Sequence, residues 1–458
     1  MSTPSPYHRP KTVAEAFNPR SNSIGFLRWL MAFLVIFSHA GPVGGFYGGE
    51  DLGIQLSSEQ SLGGVAVAGF FFFSGFLITK SRMGRSSIFR YFWRRALRIM
   101  PAYWTAMLTT VCFLAPVAWF ATRGEIDGYL HPEKETPLTY FFNNMFLELG
   151  QRNIAGMGEG LPYGLLHNNA DWNGSAWTLK YEFICYIVVG ILGLMGFLAN
   201  RWLGVITSIA FMGLNALQWM SAGNMVLVSP FFSDIYLLMF MGPFFFGVIF
   251  SLAGDKIPMD DRLAVSAIVI AFITYDMGGW NIFGQYFFMY FLMWLAVRLP
   301  LTNWEKYGDF SYGIYIFSWP LMTFYAHFGL QNLGWLPYHA TIVLSAHVMA
   351  FLSWHLIEKP AMSFKNANPR WMMWLIDKGR PLYNRVRDII VTPAFSSTRY
   401  AQTLELARIE QEKTIDEGGK AKTAAQEESA TGGPPGQHPS GQPLSGPNSP
   451  EAPEEKKP

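Results

Sequence analysis

One pattern dominates the chain: apolar segments of roughly 16–22 residues, the length an α-helix needs to cross a bilayer, recur from near the start to beyond residue 350. Run length and flanking charge place ten of them, at approximately 24–41, 61–79, 99–121, 177–199, 202–220, 233–252, 263–276, 284–299, 307–326 and 339–357. Backbone in hydrocarbon must satisfy its own N–H and C=O groups, which leaves a helical bundle as the fold for segments of this length. The predicted class is therefore all-α, a polytopic membrane bundle of about ten transmembrane helices. Charged residues make up 14% of the 458, against roughly a quarter in a soluble domain. A net charge of +2, from 34 basic and 32 acidic residues, leaves no surface for a polyanion and argues against nucleic acid. Cys112 and Cys185, both inside apolar segments, exclude a disulfide framework and a cysteine-based metal site; no metal is expected.

Charge placement orients the bundle. Residues 80–98 carry Lys80, Arg82, Arg85, Arg90, Arg94, Arg95 and Arg98 with no acid, so this connection is expected in the cytoplasm. With ten spans both termini are then cytoplasmic, in a bacterial inner or plasma membrane. The long connection 122–176 falls outside and is rich in acids, among them Glu148, Glu159 and Asp171. Its stretch 138–149 is too short to span and predicts an interfacial or re-entrant helix. No cleavable signal peptide is evident, and the first apolar segment reads as a retained helix. The domains are a cytoplasmic N-terminal segment (1–23), a transmembrane domain (24–360) and a cytoplasmic interfacial and helical segment (361–417). The last of these mixes Trp371 and Trp374 with Arg and Lys, as a surface-lying helix does. A Gly-, Pro-, Ser-, Gln- and Glu-rich tail (418–458) is predicted to be disordered.

Polar groups within spans cost ~2.5–3.5 kcal/mol each at the helix centre and call for a reason. The first span opens with Arg28 and closes with His39, ~16 Å apart along nearly the same helix face. Taken singly, Arg28 also reads as a positive-inside anchor and His39 as a hydrogen-bonded interfacial histidine. Ser74-Gly75, in a phenylalanine-rich second span, predicts a close helix approach rather than a nucleophile, since no base accompanies the serine. Arg95 and Arg98 lie three apart on one helical face, with Arg94 adjoining, and clustered guanidinium forks match phosphate geometry. Topology charge explains Arg82 and Arg85 well, but less well three arginines crowded at the membrane boundary. In the fourth span, Glu182 is expected about a turn inside the outer boundary, at the depth of His39, where a carboxylate could orient the imidazole. Lys180, Tyr181 and Tyr186 accompany it. Asp309, Ser311, Tyr312, Tyr315 and Ser318 open the ninth span, and such aromatics are mostly interfacial anchors.

Taken in order, these segments resemble acyltransferase family 3, integral membrane enzymes that acylate extracytoplasmic sugars and glycolipids. The resemblance is carried by Arg28 with ten residues to His39, Phe72-Phe73-Ser74-Gly75-Phe76-Leu77-Ile78, and Arg94-Arg95 through Arg98-Ile99, Pro101 and Tyr103. It continues through Trp177-Thr178-Leu179 before Glu182 and Tyr186, then Ser311-Tyr312 through Tyr315, and Ile357-Glu358-Lys359-Pro360. It covers roughly residues 20–365, and the ordered set is more specific than any one motif. Where the family often has histidine after the Ser-Tyr…Tyr segment, this chain has Ser318.

The resemblance implies transfer of an acyl group, commonly acetyl, from cytoplasmic acyl-CoA to a hydroxyl of an extracytoplasmic glycan or glycolipid. Arg28, Arg94, Arg95 and Arg98 would meet the CoA phosphates. His39, oriented by Glu182, would act as general base, and Tyr186 and Tyr315 are candidate substrate or acyl-relay positions. The 122–176 connection would cover the acceptor. Some family members carry a fused hydrolase-like domain that this tail is too short and polar to supply. Either the bundle completes transfer itself or a separate transferase or envelope-assembly partner does. Two rival classes share the sequence: a glycolipid or polysaccharide transporter, whose passage the same polar residues would line, and a scaffold anchoring an envelope complex through its tail.

Overall fold

In the computed structural model the described residues are 9–57, 59–83, 87–221, 234–367, 369–371, 373–375, 377–379 and 381. All lie in the unit Met1–Val391; the second unit, Thr392–Pro458, and with it the 418–458 tail and most of the 361–417 segment, falls outside them.

Ten long helices appear among the described residues. They are Ile24–Gly44, Leu62–Met83, Ile88–Arg123, Gly174–Leu194, Arg201–Met220, Ile235–Leu252, Asp261–Met277, 280–298, Ser311–His327 and Trp335–Asn366, the first to the tenth below. Each coincides with one of the ten apolar segments. Seven are long and apolar enough to span a membrane, which makes the chain a multi-pass membrane protein. The other three are the seventh, eighth and ninth; the seventh and ninth have 17 residues each, about 25 Å of helix against ~30 Å of hydrocarbon.

Helix ends follow local chemistry. The first helix stops at Gly45, whose φ of +76° a side chain would strain. The third starts where the Ser87 hydroxyl accepts the Arg90 N–H. It then runs 36 residues through Pro101 and a π-turn at Thr110–Leu114. Glycine sets the tightest crossing: a Cβ on Gly75 would lie 1.9 Å from the Phe244 carbonyl oxygen, and one on Gly247 2.1 Å from that of Phe72. Small residues at a helix crossing let backbones meet in this way, so Ser74-Gly75 is indeed a packing signature. The first helix packs between the second and the ninth, and this trio carries the site.

The 122–176 connection contains a short helix, Pro137–Asn144, tied to the third helix by Tyr103 Oη donating to the Asn144 carbonyl at 2.6 Å and Trp104 Nε1 to that of Met145 at 2.8 Å. Beyond the tenth helix, the Met373 N–H donates to the Pro369 carbonyl at 3.0 Å and Trp371 meets Trp93 edge-on. A turn of helix thus begins within the expected surface segment.

Candidate active site

The His39 end of the first helix faces a cavity of about 490 Å³ lined by His39, Asp51, Arg152, Trp177, Trp319 and neighbouring residues. His39 Nδ1 lies 2.9 Å from Asp51 Oδ1, and the Ser38 hydroxyl donates to the same oxygen at 3.1 Å. Burial pushes the Asp51 carboxyl up, but the His39 ring, the Ser38 hydroxyl and His167 outweigh it and hold it below the ordinary aspartate value. With Nδ1 turned to the carboxylate, Nε2 is the ring nitrogen left without a partner among the described residues. A carboxylate-oriented imidazole with a free nitrogen over a cavity has the arrangement of a general base. Trp319 packs edge-on against His39 at 4.9 Å between ring centres.

A wall of the cavity comes from the long connection. Arg152, Tyr163, Leu166 and His167 all line it, so the connection shares this cavity with His39. Arg152 Nη1 donates to Asp171 Oδ2 at 2.6 Å, while the Asn173 N–H donates to the other carboxylate oxygen at 2.9 Å. Burial raises the Asp171 carboxyl above its usual value, with Arg152 pulling against it. Trp319 Nε1 and the Thr323 hydroxyl donate to the Asp171 backbone carbonyl at 2.9 and 3.1 Å. Gly174 lets Trp319 sit against the backbone, because a Cβ there would come within 2.4 Å of the indole.

Glu182 is not the carboxylate at His39. It accepts from the Ser74 hydroxyl at 2.7 Å and from the Tyr186 hydroxyl. Gly63 of the second helix lies beside His39, and Ser74 is eleven residues further on, ~16 Å along the helix. The expectation erred on depth. Residues 170–177 dip into the bundle under Trp319, so the fourth helix starts well inside and carries Glu182 towards the Arg98 end.

Two of the arginines expected to face phosphate are committed to carboxylates. Asp309 accepts from Arg28 Nη1 at 2.7 Å and from Arg98 Nη2, while Arg98 Nη1 donates to Glu358 Oε2 at 3.1 Å. The Ser311 hydroxyl also donates to Asp309, at 2.6 Å. Guanidiniums at membrane depth demand counter-charges, and these come from residues more than 200 positions away in sequence. Arg94 reaches the Lys365 carbonyl and Asn366 Oδ1. Arg95 Nε is buried without a partner.

The candidate relay tyrosines are tied into the packing. The Tyr315 hydroxyl donates to the Ser175 carbonyl at 2.6 Å and meets the Thr178 hydroxyl at 2.5 Å. The Tyr186 hydroxyl goes to Glu182, and neither residue lines the His39 cavity. Ser318 donates to the Tyr315 carbonyl of its own helix. Among the described residues, no group of three or more His, Cys, Asp or Glu is placed to hold a metal ion. Sequence reasoning missed Asp51, Arg152 and Trp319. The one available signal was the Glu50-Asp51 pair, which closes a glycine-rich turn twelve residues after His39.

Comparison with known proteins supplies the family. The acyltransferase-3 family, described as an acyltransferase domain, matches residues 21–358. An O-acetyl transferase of Shigella phage Sf6 is 25% identical over 351 residues, covering 74% of this chain and 96% of its own. Nodulation protein 10 of Rhizobium leguminosarum bv. viciae is 25% identical over 368 residues, covering 76% of this chain and 94% of its own. No solved structure matches the chain. A match over nearly three-quarters of the length, on an all-helical membrane bundle, means that this chain belongs to acyltransferase family 3 and is an O-acyltransferase.

Proposed function

We propose that the protein moves an acetyl group from acetyl-CoA, taken up at the cytoplasmic face, to a hydroxyl of a glycan or glycolipid on the opposite face of the cell membrane. His39 is the general base, and the single observation that carries this reading is the His39–Asp51 pair facing the cavity. The similarity to the phage O-acetyl transferase supports acetyl as the group moved. The charge pattern of residues 80–98 supports a cytoplasmic Arg98 end.

Donor and base are separated by the length of one helix. Arg28 and His39 stand ~16 Å apart, a span that the pantetheine arm of CoA bridges when extended. Of the four arginines, Arg95 is the best placed to meet a phosphate, because its Nε is unpartnered whereas Arg28 and Arg98 already serve Asp309 and Glu358. The aromatic faces of Trp177, Tyr236 and Tyr163 around the cavity suit the apolar faces of a sugar ring. The bundle completes the transfer itself, since base and cavity are both its own.

Mass spectrometry of envelope glycans from cells with and without the gene tests this reading. An acetyl increment that depends on the gene and disappears under mild base is expected. Identical glycans in both strains, or gene-dependent relocation without a mass change, would replace the enzyme with a transporter.

A further inference from the structure

The reaction proposed above puts negative charge on the acyl oxygen at the moment of attack, and His39 and Asp51 offer nothing to stabilise it. The carboxylates lining the cavity, Glu50 and Asp51, oppose such a charge. Arg152 is the cavity's one lysine or arginine among the described residues. Its side chain is 44% exposed while its partner Asp171 is 2% exposed. The buried carboxylate therefore pins the guanidinium from below through Nη1 and leaves the remaining N–H donors to the cavity side. Asp171 is itself fixed by the Asn173 N–H, and its backbone by Trp319 and Thr323. Trp319 touches His39, so the guanidinium and the imidazole are held on one rigid frame.

We propose that Arg152 is a catalytic residue that hydrogen-bonds the oxyanion of the transfer, with Asp171 as its positioning residue. This rests on the reading of His39 as general base. In the step, His39 Nε2 takes the acceptor hydroxyl proton as the oxygen forms a bond to the thioester carbonyl carbon. The carbonyl π electrons move to oxygen, where Arg152 N–H groups receive the charge. Collapse restores the carbonyl and breaks the carbon–sulfur bond, and the CoA thiolate takes the proton back from His39. Preorganised donors aimed at developing charge act through kcat, because they cost no reorganisation during the reaction.

A double variant separates this role from packing. Arg152→Ala alone would strand a buried carboxylate and threaten the fold. Arg152→Gln with Asp171→Asn instead removes both charges and keeps an amide-to-amide hydrogen bond available. Membranes from the expressing host would receive radiolabelled acetyl-CoA, and base-labile label in the glycan fraction would be followed for wild type, His39→Ala and R152Q/D171N. The expected result is wild-type melting and a KM for acetyl-CoA within about threefold, with the saturating rate down about 100-fold, the cost of losing one oxyanion donor. A fall of less than tenfold, or any fall matched by lost melting temperature, would overturn the role of Arg152. Should His39→Ala transfer normally, the general-base reading fails instead, whatever the double variant does.

Discussion

The two ends of the first helix treat charge in opposite ways. At the Arg28 end, two guanidiniums and two carboxylates, Asp309 and Glu358, consume one another in a partly buried network that joins the first, third and tenth helices to the start of the ninth. At the His39 end, one imidazole has one carboxylate partner and a cavity in front of it. A closed network spends its charges on holding helices together, whereas an open pair leaves a nitrogen free for substrate. With His39 as the proposed base, the same helix carries a structural lock at one end and the reacting group at the other, and substitutions at the two ends should fail in different ways.

The largest effect is expected at the open end. His39→Ala should lower base-labile acetyl transfer by about 10³-fold, the scale of a lost general base, at unchanged membrane abundance by immunoblot. Reduced abundance with a normal rate per molecule would make His39 part of the packing and erase the contrast. At the closed end, Asp309→Asn strips Arg28 and Arg98 of their shared counter-charge. Breaking such a pair costs about 3–5 kcal/mol, to be read as lost abundance and melting temperature. Intact melting with a raised KM for acetyl-CoA would move the network from the scaffold to the donor site.

A smaller effect comes through pH. Asp51 is held below its ordinary value of 3.8, so its folded form binds the proton less readily than its unfolded form. The stability it contributes is fully present above about pH 4 and is lost as pH falls through the lower folded value. The melting difference between wild type and Asp51→Asn should therefore shrink as pH falls below about 4; a difference that keeps growing there contradicts the pair. The smallest effect is expected at Arg94, whose partners Lys365 and Asn366 are exposed. Arg94→Lys should cost less than ~1 kcal/mol and leave the donor KM unchanged, and a several-fold rise in KM would restore it as a phosphate contact.

How far the sequence could be read differs between the same two ends. The ten helices were legible because the bilayer imposes run length directly on composition, and Ser74-Gly75 announced its crossing because only glycine admits the Phe244 backbone. Arg28 and His39 were legible as a pair because helical rise fixes their separation. Their partners were not. Asp309 and Glu358 meet Arg28 and Arg98 from more than 200 residues away, and no local pattern records that meeting. Asp51 sits in an irregular turn without periodicity. Glu182 was misplaced for a related reason: hydropathy marks where an apolar run begins, not that residues 170–177 already lie inside the bundle beneath Trp319.

The proposed chemistry at the open end depends on Asp51 as the carboxylate that readies His39. The most direct test is the saturating rate of acetyl transfer by Asp51→Asn at abundance matched to wild type. A fall of about 10²–10³-fold, as for an imidazole left without its orienting carboxylate, with the acetyl-CoA KM within about threefold, is the predicted result. A rate within threefold of wild type would contradict the claim.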